Sequence, residues 1–181
     1  MLRLFAGIEI DDAVRTLAAD AIAKLQTSAL PARFERPEKM HVTLAFLGRT
    51  PPEKLRAVEE ALANAAAAEG RFSLMFDRVG AFPNERRPRV LWLGCSRVDE
   101  NFGACARRVR SAFATLGYDF DAEAVAHVTL CRARPPLRGT PQLQIEQGVR
   151  LDVEHLTLFE SIPEGRTTRY ETRARAPLRP A

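Results

Sequence analysis

Apolar and polar residues alternate through the opening stretch LRLFAGIEI at 2–10, which predicts a half-buried strand. The period then lengthens to the helical spacing of DDAVRTLAADAIAKLQTSAL at 11–30, begun by Asp and stopped near Pro31. After a turn containing Pro37, HVTLAFLG at 41–48 reads as a strand, and PPEKLRAVEEALANAAAAEG at 51–70 as a second helix with Pro at its start and Gly70 at its end. RFSLMFDRVGAF (71–82) and RVLWLG (89–94) follow as strands around the turn PNERRP, and VDENFGACARRVRSAFATLG (98–117) as a third helix. The strand AHVTLC (126–131) leads into a Pro-, Arg- and Gly-rich loop at 133–141, and RLDVEHLTLFES with TTRYETRA predicts a closing hairpin.

This order contains a repeat. RLFAGIEI, helix, HVTL matches RVLWLG, helix, HVTL, with 36 residues from Phe5 to His41 and 36 from Leu91 to His127. Carried further, FDRVGAF (76–82) pairs with VEHLTLF (153–159), so His155 falls opposite Arg78 and opposite neither of the other histidines. The expectation is an α+β fold of two antiparallel-rich sheets related by a pseudo-two-fold axis around a central groove, with helices on the outer faces. Residues 1–181 are expected to form a single domain of two intertwined lobes, with 46% hydrophobic residues to fill its core.

Composition adds constraints. Cys95, Cys105 and Cys131 are odd in number and lack CxxC spacing, so neither a disulfide framework nor a zinc knuckle is expected. No signal peptide is expected, and no apolar run approaches the roughly 20 residues of a membrane span, which predicts a cytoplasmic protein without a membrane partner, taken as a monomer. Net charge is +4 and 24 of the 27 basic residues are Arg, whose forked guanidinium suits phosphate.

All three histidines precede Thr at +2 and Leu at +3. In a strand, residues i and i+2 share a face, so His41 with Thr43, and His127 with Thr129, point one way while Val42, Leu44, Val128 and Leu130 point the other. A lone strand histidine is usually a satisfied core residue, but two at matching points of a repeat point to a site. Two imidazoles with ordinary pKa values near ~6.5 can hold opposite protonation states near neutral pH, and two hydroxyls can hold the oxygens of a phosphate between them. Arg132 could add a bidentate charge, but five residues past His127 it reaches the same face only if the strand ends or bulges near Cys131. Two histidines fall short of a metal ligand set, so neither metal nor other cofactor is expected. Phe46 and Trp92 could stack a base, although strand aromatics are expected in the core. His155 is expected to be a polar position on a hairpin strand.

HVTLAFLG and HVTLCR resemble the paired H-x-T-x signatures of the 2H phosphoesterase superfamily, in particular its RNA 2',3'-cyclic phosphodiesterases, also called 2'-5' RNA ligases. The likeness extends through RLFAGIEI, GAFPNERRPRVLWLG, LTLFES and GRTTRY. The resemblance implies a bilobal α+β fold, His41 as proton donor, His127 as proton acceptor, Arg132 as the arginine of an HxTLxR motif, and no metal. It also implies RNA ending in a 2',3'-cyclic phosphate as partner, tRNA fragments included, opened to a 2'-phosphate, with a reversible 2'-5' RNA ligase activity beside it. Ala126 stands where many relatives have proline. The alternatives are a non-catalytic RNA-binding module and a phosphodiesterase for 2'-5' oligonucleotides or other cyclic phosphates.

Overall fold

Ten strands and three helices follow one another in the computed structural model, which describes residues 1–97, 100–165 and 167–180. β1 (Leu2–Glu9), α1 (Asp12–Gln26), β2 (Ala32–Phe34) and β3 (His41–Thr50) come first. α2 (Leu55–Ala67), β4 (Phe72–Phe76), β5 (Arg78–Phe82) and β6 (Val90–Gly94) follow. α3 (Glu100–Ala114), β7 (His127–Ala133), β8 (Val149–Val153), β9 (His155–Glu164) and β10 (Thr167–Pro177) complete the chain. Val98 and Asp99, the expected start of the third helix, lie outside the described residues, as does Arg166 of GRTTRY. Among the described residues no helix is long and apolar enough to cross a membrane.

The strands form two four-stranded sheets, ordered β10-β9-β1-β3 and β2-β7-β6-β5, and a ribbon of β4 with β8. Every named pairing is antiparallel, as the repeat led one to expect. β9-β1-β3 in the first sheet corresponds to β5-β6-β7 in the second, and β5 begins at Arg78 as β9 begins at His155. The two halves trade parts. The C-terminal β9 and β10 complete the first sheet, while β2 from the N-terminal half becomes an edge of the second. Likewise α1 leaves β1 to pack on β7 and β8, and α3 leaves β6 to pack on β3.

Local chemistry explains these elements. Asp11 caps α1 by accepting from the Val14 N–H at 2.9 Å, and Val14, Ala18, Ala21, Ile22 and Leu25 form its buried stripe. Phe102, Cys105, Ala106, Val109 and Phe113 do the same for α3. Two long expected strands are each broken in two. At Asp77 the carboxylate turns to accept from the Ser96 N–H and hydroxyl, both at 2.7 Å, and the chain passes from β8's partner to β6's partner. Glu154 divides β8 from β9 in the same way, since β8 pairs with β4 and β9 with β1 and β10. The expected turn at Pro37 is a 3-10 turn over Pro37–Lys39, and the short β2, which the sequence did not suggest, lies just before it.

The repeat needs a one-residue adjustment. Phe5 stands opposite Phe46, five past His41, and Val90 stands opposite Arg132, five past His127, so Val90 rather than Leu91 occupies the place of Phe5.

Gly80 on β5 lets the Trp92 ring lie flat on the strand: a Cβ there would stand 2.3 Å from two ring carbons. Trp92 is 7% exposed and sits against Phe82 and His127, which bears out its expected core role. Gly80→Ala is therefore expected to destabilise the fold by about 1–3 kcal/mol through a displaced indole, read as a lower urea midpoint with unchanged m-value. An unchanged midpoint would mean that the ring is not held by this contact.

Candidate active site

His41 and Thr43 on β3 and His127 and Thr129 on β7 line one pocket of about 90 Å³, and Arg132 joins them. β3 is an edge of the first sheet and β7 an inner strand of the second, and the two come into contact where the sheets meet. The pleat does the sorting. Val42, Leu44, Val128 and Leu130 are fully buried, while the histidines and threonines between them are half-buried and face the pocket.

Both strands then change phase. Across β1, Ala6 faces Ala45 and Gly7 faces Thr43, leaving Leu44 without a partner. Across β6, Leu91 faces Cys131 and Trp92 faces Thr129, leaving Leu130 without one. Each extra residue is a β-bulge three positions after the histidine, and it reverses the alternation beyond it. Ala45 and Cys131 are therefore buried, and Phe46 and Arg132 return to the pocket side. This is the irregularity near Cys131 that Arg132 required. The same device overturns the core expectation for Phe46, which is 65% exposed on the pocket rim.

The imidazoles are held alike. Nδ1 of His41 lies 2.7 Å from the Lys39 carbonyl and Nδ1 of His127 lies 2.8 Å from the Val125 carbonyl, in each case two residues back. A carbonyl only accepts, so Nδ1–H donates in both rings. The Nε2 atom of each neutral ring is left as the proton acceptor. Aromatic walls fix the planes: Phe5 at 4.7 Å and Tyr170 edge-on at 5.3 Å beside His41, Phe82 edge-on at 4.9 Å beside His127. Neither the Thr43 nor the Thr129 hydroxyl is used in a hydrogen bond among the described residues.

Electrostatics depart from the simple expectation of two ordinary histidines. Burial lowers the His41 pKa to about 4; the Lys39 carbonyl opposes this, and the charges of His127 and Arg132 add to it. Burial also lowers His127, against the pull of the Val125 carbonyl and with help from Arg132. Both shifts favour the neutral ring at pH 7, and an anion beside either ring would favour its imidazolium.

Glu35, Lys39 and Tyr170 also line the pocket, and none of them was expected there from the sequence. Lys39 Nζ is held by the Thr167 and Thr168 hydroxyls and lies 5.9 Å from the Tyr170 ring centre, so β10 braces it across the groove. The one available signal was that GRTTRY carries one of only two tyrosines. His155 is not a pocket residue; its Nε2 stands 3.2 Å from Glu9 Oε2. Among the described residues no three His, Cys, Asp or Glu side chains group as metal ligands.

A family model described as LigT like Phosphoesterase matches residues 8–92. An RNA 2',3'-cyclic phosphodiesterase of Archaeoglobus fulgidus is 33% identical over 133 residues, covering 74% of this chain and 73% of the relative. Among solved structures, a Thermus thermophilus protein superposes with a TM-score of 0.83 at 26% identity, covering 98% of both chains. E. coli LigT complexed with 3'-AMP superposes with a TM-score of 0.77 at 26% identity, again covering 98% of both.

In the free protein, ¹H–¹⁵N NMR at pH 7 is expected to show His41 and His127 as neutral Nδ1–H tautomers, His41 remaining so until the pH nears about 4. Their folded values lie below the unfolded one, so the unfolded chain takes up protons first. The histidine contribution to stability is constant above about pH 7 and is lost as pH falls from about 6.5 toward about 4, on the order of 3 kcal/mol for His41. Inorganic phosphate is expected to raise both values. An Nε2–H tautomer at either ring, or no response to phosphate, would contradict this arrangement.

Proposed function

The chain belongs to the LigT-like phosphoesterases, and we propose that within this family it is an RNA 2',3'-cyclic phosphodiesterase that leaves a 2'-phosphate. The observation that carries this reading is the matched pair of histidines, each tethered through Nδ1 and offering Nε2 to one small pocket that also holds two unengaged hydroxyls.

With a cyclic phosphate between the rings, Nε2 of His127 takes a proton from water as the water oxygen bonds to phosphorus. The P–O3' bond breaks in line, and His41 gives its Nε2 proton to O3'. The Thr43 and Thr129 hydroxyls donate to the non-bridging oxygens, and Arg132 offers its fork to the same anion. The substrate's negative charge restores the His41 proton that burial disfavours, so acid and anion arrive together. With a 5'-hydroxyl in place of water, the same groups join the cyclic phosphate through a 2'-5' bond: His127 takes the hydroxyl proton, the P–O3' bond breaks and His41 protonates O3'. A phosphodiesterase, unlike a non-catalytic RNA-binding module, needs such a matched acid and base.

The test is product analysis with a nucleoside 2',3'-cyclic phosphate in the presence of EDTA. A 2'-phosphate is expected, with His41→Ala and His127→Ala each lowering kcat by about 10²- to 10⁴-fold and His155→Ala retaining most activity. A 3'-phosphate product, or dependence on added metal, would overturn the scheme.

The dependence of kcat/KM on pH is expected to be a bell whose limbs both lie below the ordinary histidine value, because both free-enzyme groups are lowered. The kcat profile, which reports the substrate complex, is expected to lie at higher pH. Coincident profiles centred above pH 8 would exclude the two-histidine assignment.

A further inference from the structure

The arginines of this chain fall into two populations. On β10, Arg169, Arg173 and Arg175 are engaged by Glu171, Glu160 and Glu9. Around the end of β7 in the second sheet, where β2, the β5–β6 turn and the segment leaving β7 meet, a larger set has no ion pair among the described residues. β2 and the residues after it bring Arg33 and Arg36, and Arg33 stands directly across from Arg132, so the two share a face. The turn between β5 and β6 adds Arg86, Arg87 and Arg89. The segment leaving β7 adds Arg134 and Arg138.

Backbone hydrogen bonds sew these segments together: Ala133 N–H to the Arg89 carbonyl at 2.8 Å, Leu137 N–H to Pro88 at 2.9 Å, Thr140 N–H to Glu85 at 2.9 Å, and Arg134 N–H to Pro31 at 3.0 Å. All eight of these arginines, Arg132 included, are exposed. The two glutamates among them are otherwise placed. Glu85 is paired with Arg78 at 2.9 Å, and Glu35 lines the pocket. Segments 32–36, 84–89 and 132–138 therefore carry net +6 in a chain whose total is +4, and the remainder sums to −2. Fixing so many like charges side by side is unfavourable without a polyanion to meet them.

We propose that the single-stranded RNA leading to the cyclic phosphate lies along this arginine-rich edge, an inference that rests on the RNA-end reading above. A 2',3'-cyclic phosphate is by its chemistry a 3' end, so the polymer leaves the pocket in one direction only. Arg132 belongs both to the pocket and to the cluster, and Arg33 stands across from it on the same face, so the cluster begins at the pocket. Guanidinium forks match those phosphates without reading sequence. The partner is thus an oligonucleotide tail rather than a mononucleotide.

The experiment uses a quadruple variant, Arg33→Gln, Arg86→Gln, Arg87→Gln and Arg134→Gln, which spares Arg132. Turnover of a nucleoside 2',3'-cyclic phosphate is expected to stay within about twofold of the parent, whereas kcat/KM for a ten-nucleotide RNA with the same end falls on the order of 10- to 100-fold at 0.1 M salt. Anisotropy of a 5'-labelled ten-mer bearing a 3'-phosphate is expected to show a salt slope shallower by roughly 2 to 3 than the parent's, and the corresponding Lys variants are expected to restore it. Equal loss for both substrates, or ten-mer binding unchanged in the variant, would overturn the proposal. If the parent turns over neither substrate, the RNA-end reading fails, while the anisotropy comparison still decides the surface.

Discussion

Leu44 stands without a partner across β1 and Leu130 without one across β6, and the composition of the pocket follows from that one irregularity repeated in two places. A regular strand gives one face every second residue, so His, Thr and then the residue at +4 would share the pocket. Ala45 and Cys131 would then be exposed, and Phe46 and Arg132 would be driven into the core. The bulge keeps the first two positions and exchanges the third, turning a hydrophobic face and a polar face over within one strand. An apolar underside survives on both sides of the bulge, since Ala45, Leu47, Cys131 and Ala133 remain buried. The proposed acid-base group, the hydroxyl and a third pocket residue can thus come from one strand without breaking the core.

The same packing that positions the imidazoles sets their charge. Rings wedged among Phe5, Tyr170, Phe82 and Trp92 are rigid but poorly solvated, and poor solvation disfavours the protonated form. A proton donor in such a site is loaded only when negative charge is present beside it. For a phosphodiester this coupling is useful, because the group that requires protonation of its leaving oxygen is the group that supplies the charge. The Nδ1 tethers to Lys39 and Val125 add direction, since neither ring can turn over and present the wrong nitrogen.

Much of this was legible in the sequence because it is local or repeated. Near-equal spacings exposed the duplication, one residue off the true correspondence, the HVTL alternation placed the histidines and threonines on one face, and the parity of Arg132 required a bulge. What escaped detection depends on non-local pairing. Alternation runs straight through Asp77 and Glu154, and only the partners on either side reveal that one strand has become two. β2 is a three-residue edge whose existence depends on β7, roughly 100 residues away. Lys39 and Tyr170 meet through the β10 hairpin across the groove, a contact with no local signature. The core expectation for Phe46 assumed a regular strand, although the bulge that Arg132 demands implies, through the repeat, its counterpart before Phe46.

The departures from symmetry carry as much information as the symmetry. A faithful duplication would present its ligand with two equivalent sides, yet a 3'-terminal cyclic phosphate has a nucleoside on one side and only solvent on the other. At the position five past each histidine the chain has an aromatic ring in one half and a guanidinium in the other. The arginines of the first sheet's β10 are neutralised by glutamates, while those at the edge of the second have no ion pair among the described residues. In the proposed reaction the histidines and threonines recur in both halves because in-line displacement needs groups on opposite sides of one phosphorus. On the same proposal the flanking positions diverge because the substrate attached to that phosphorus is not symmetric, and the residues that break the repeat are the ones that would set its direction.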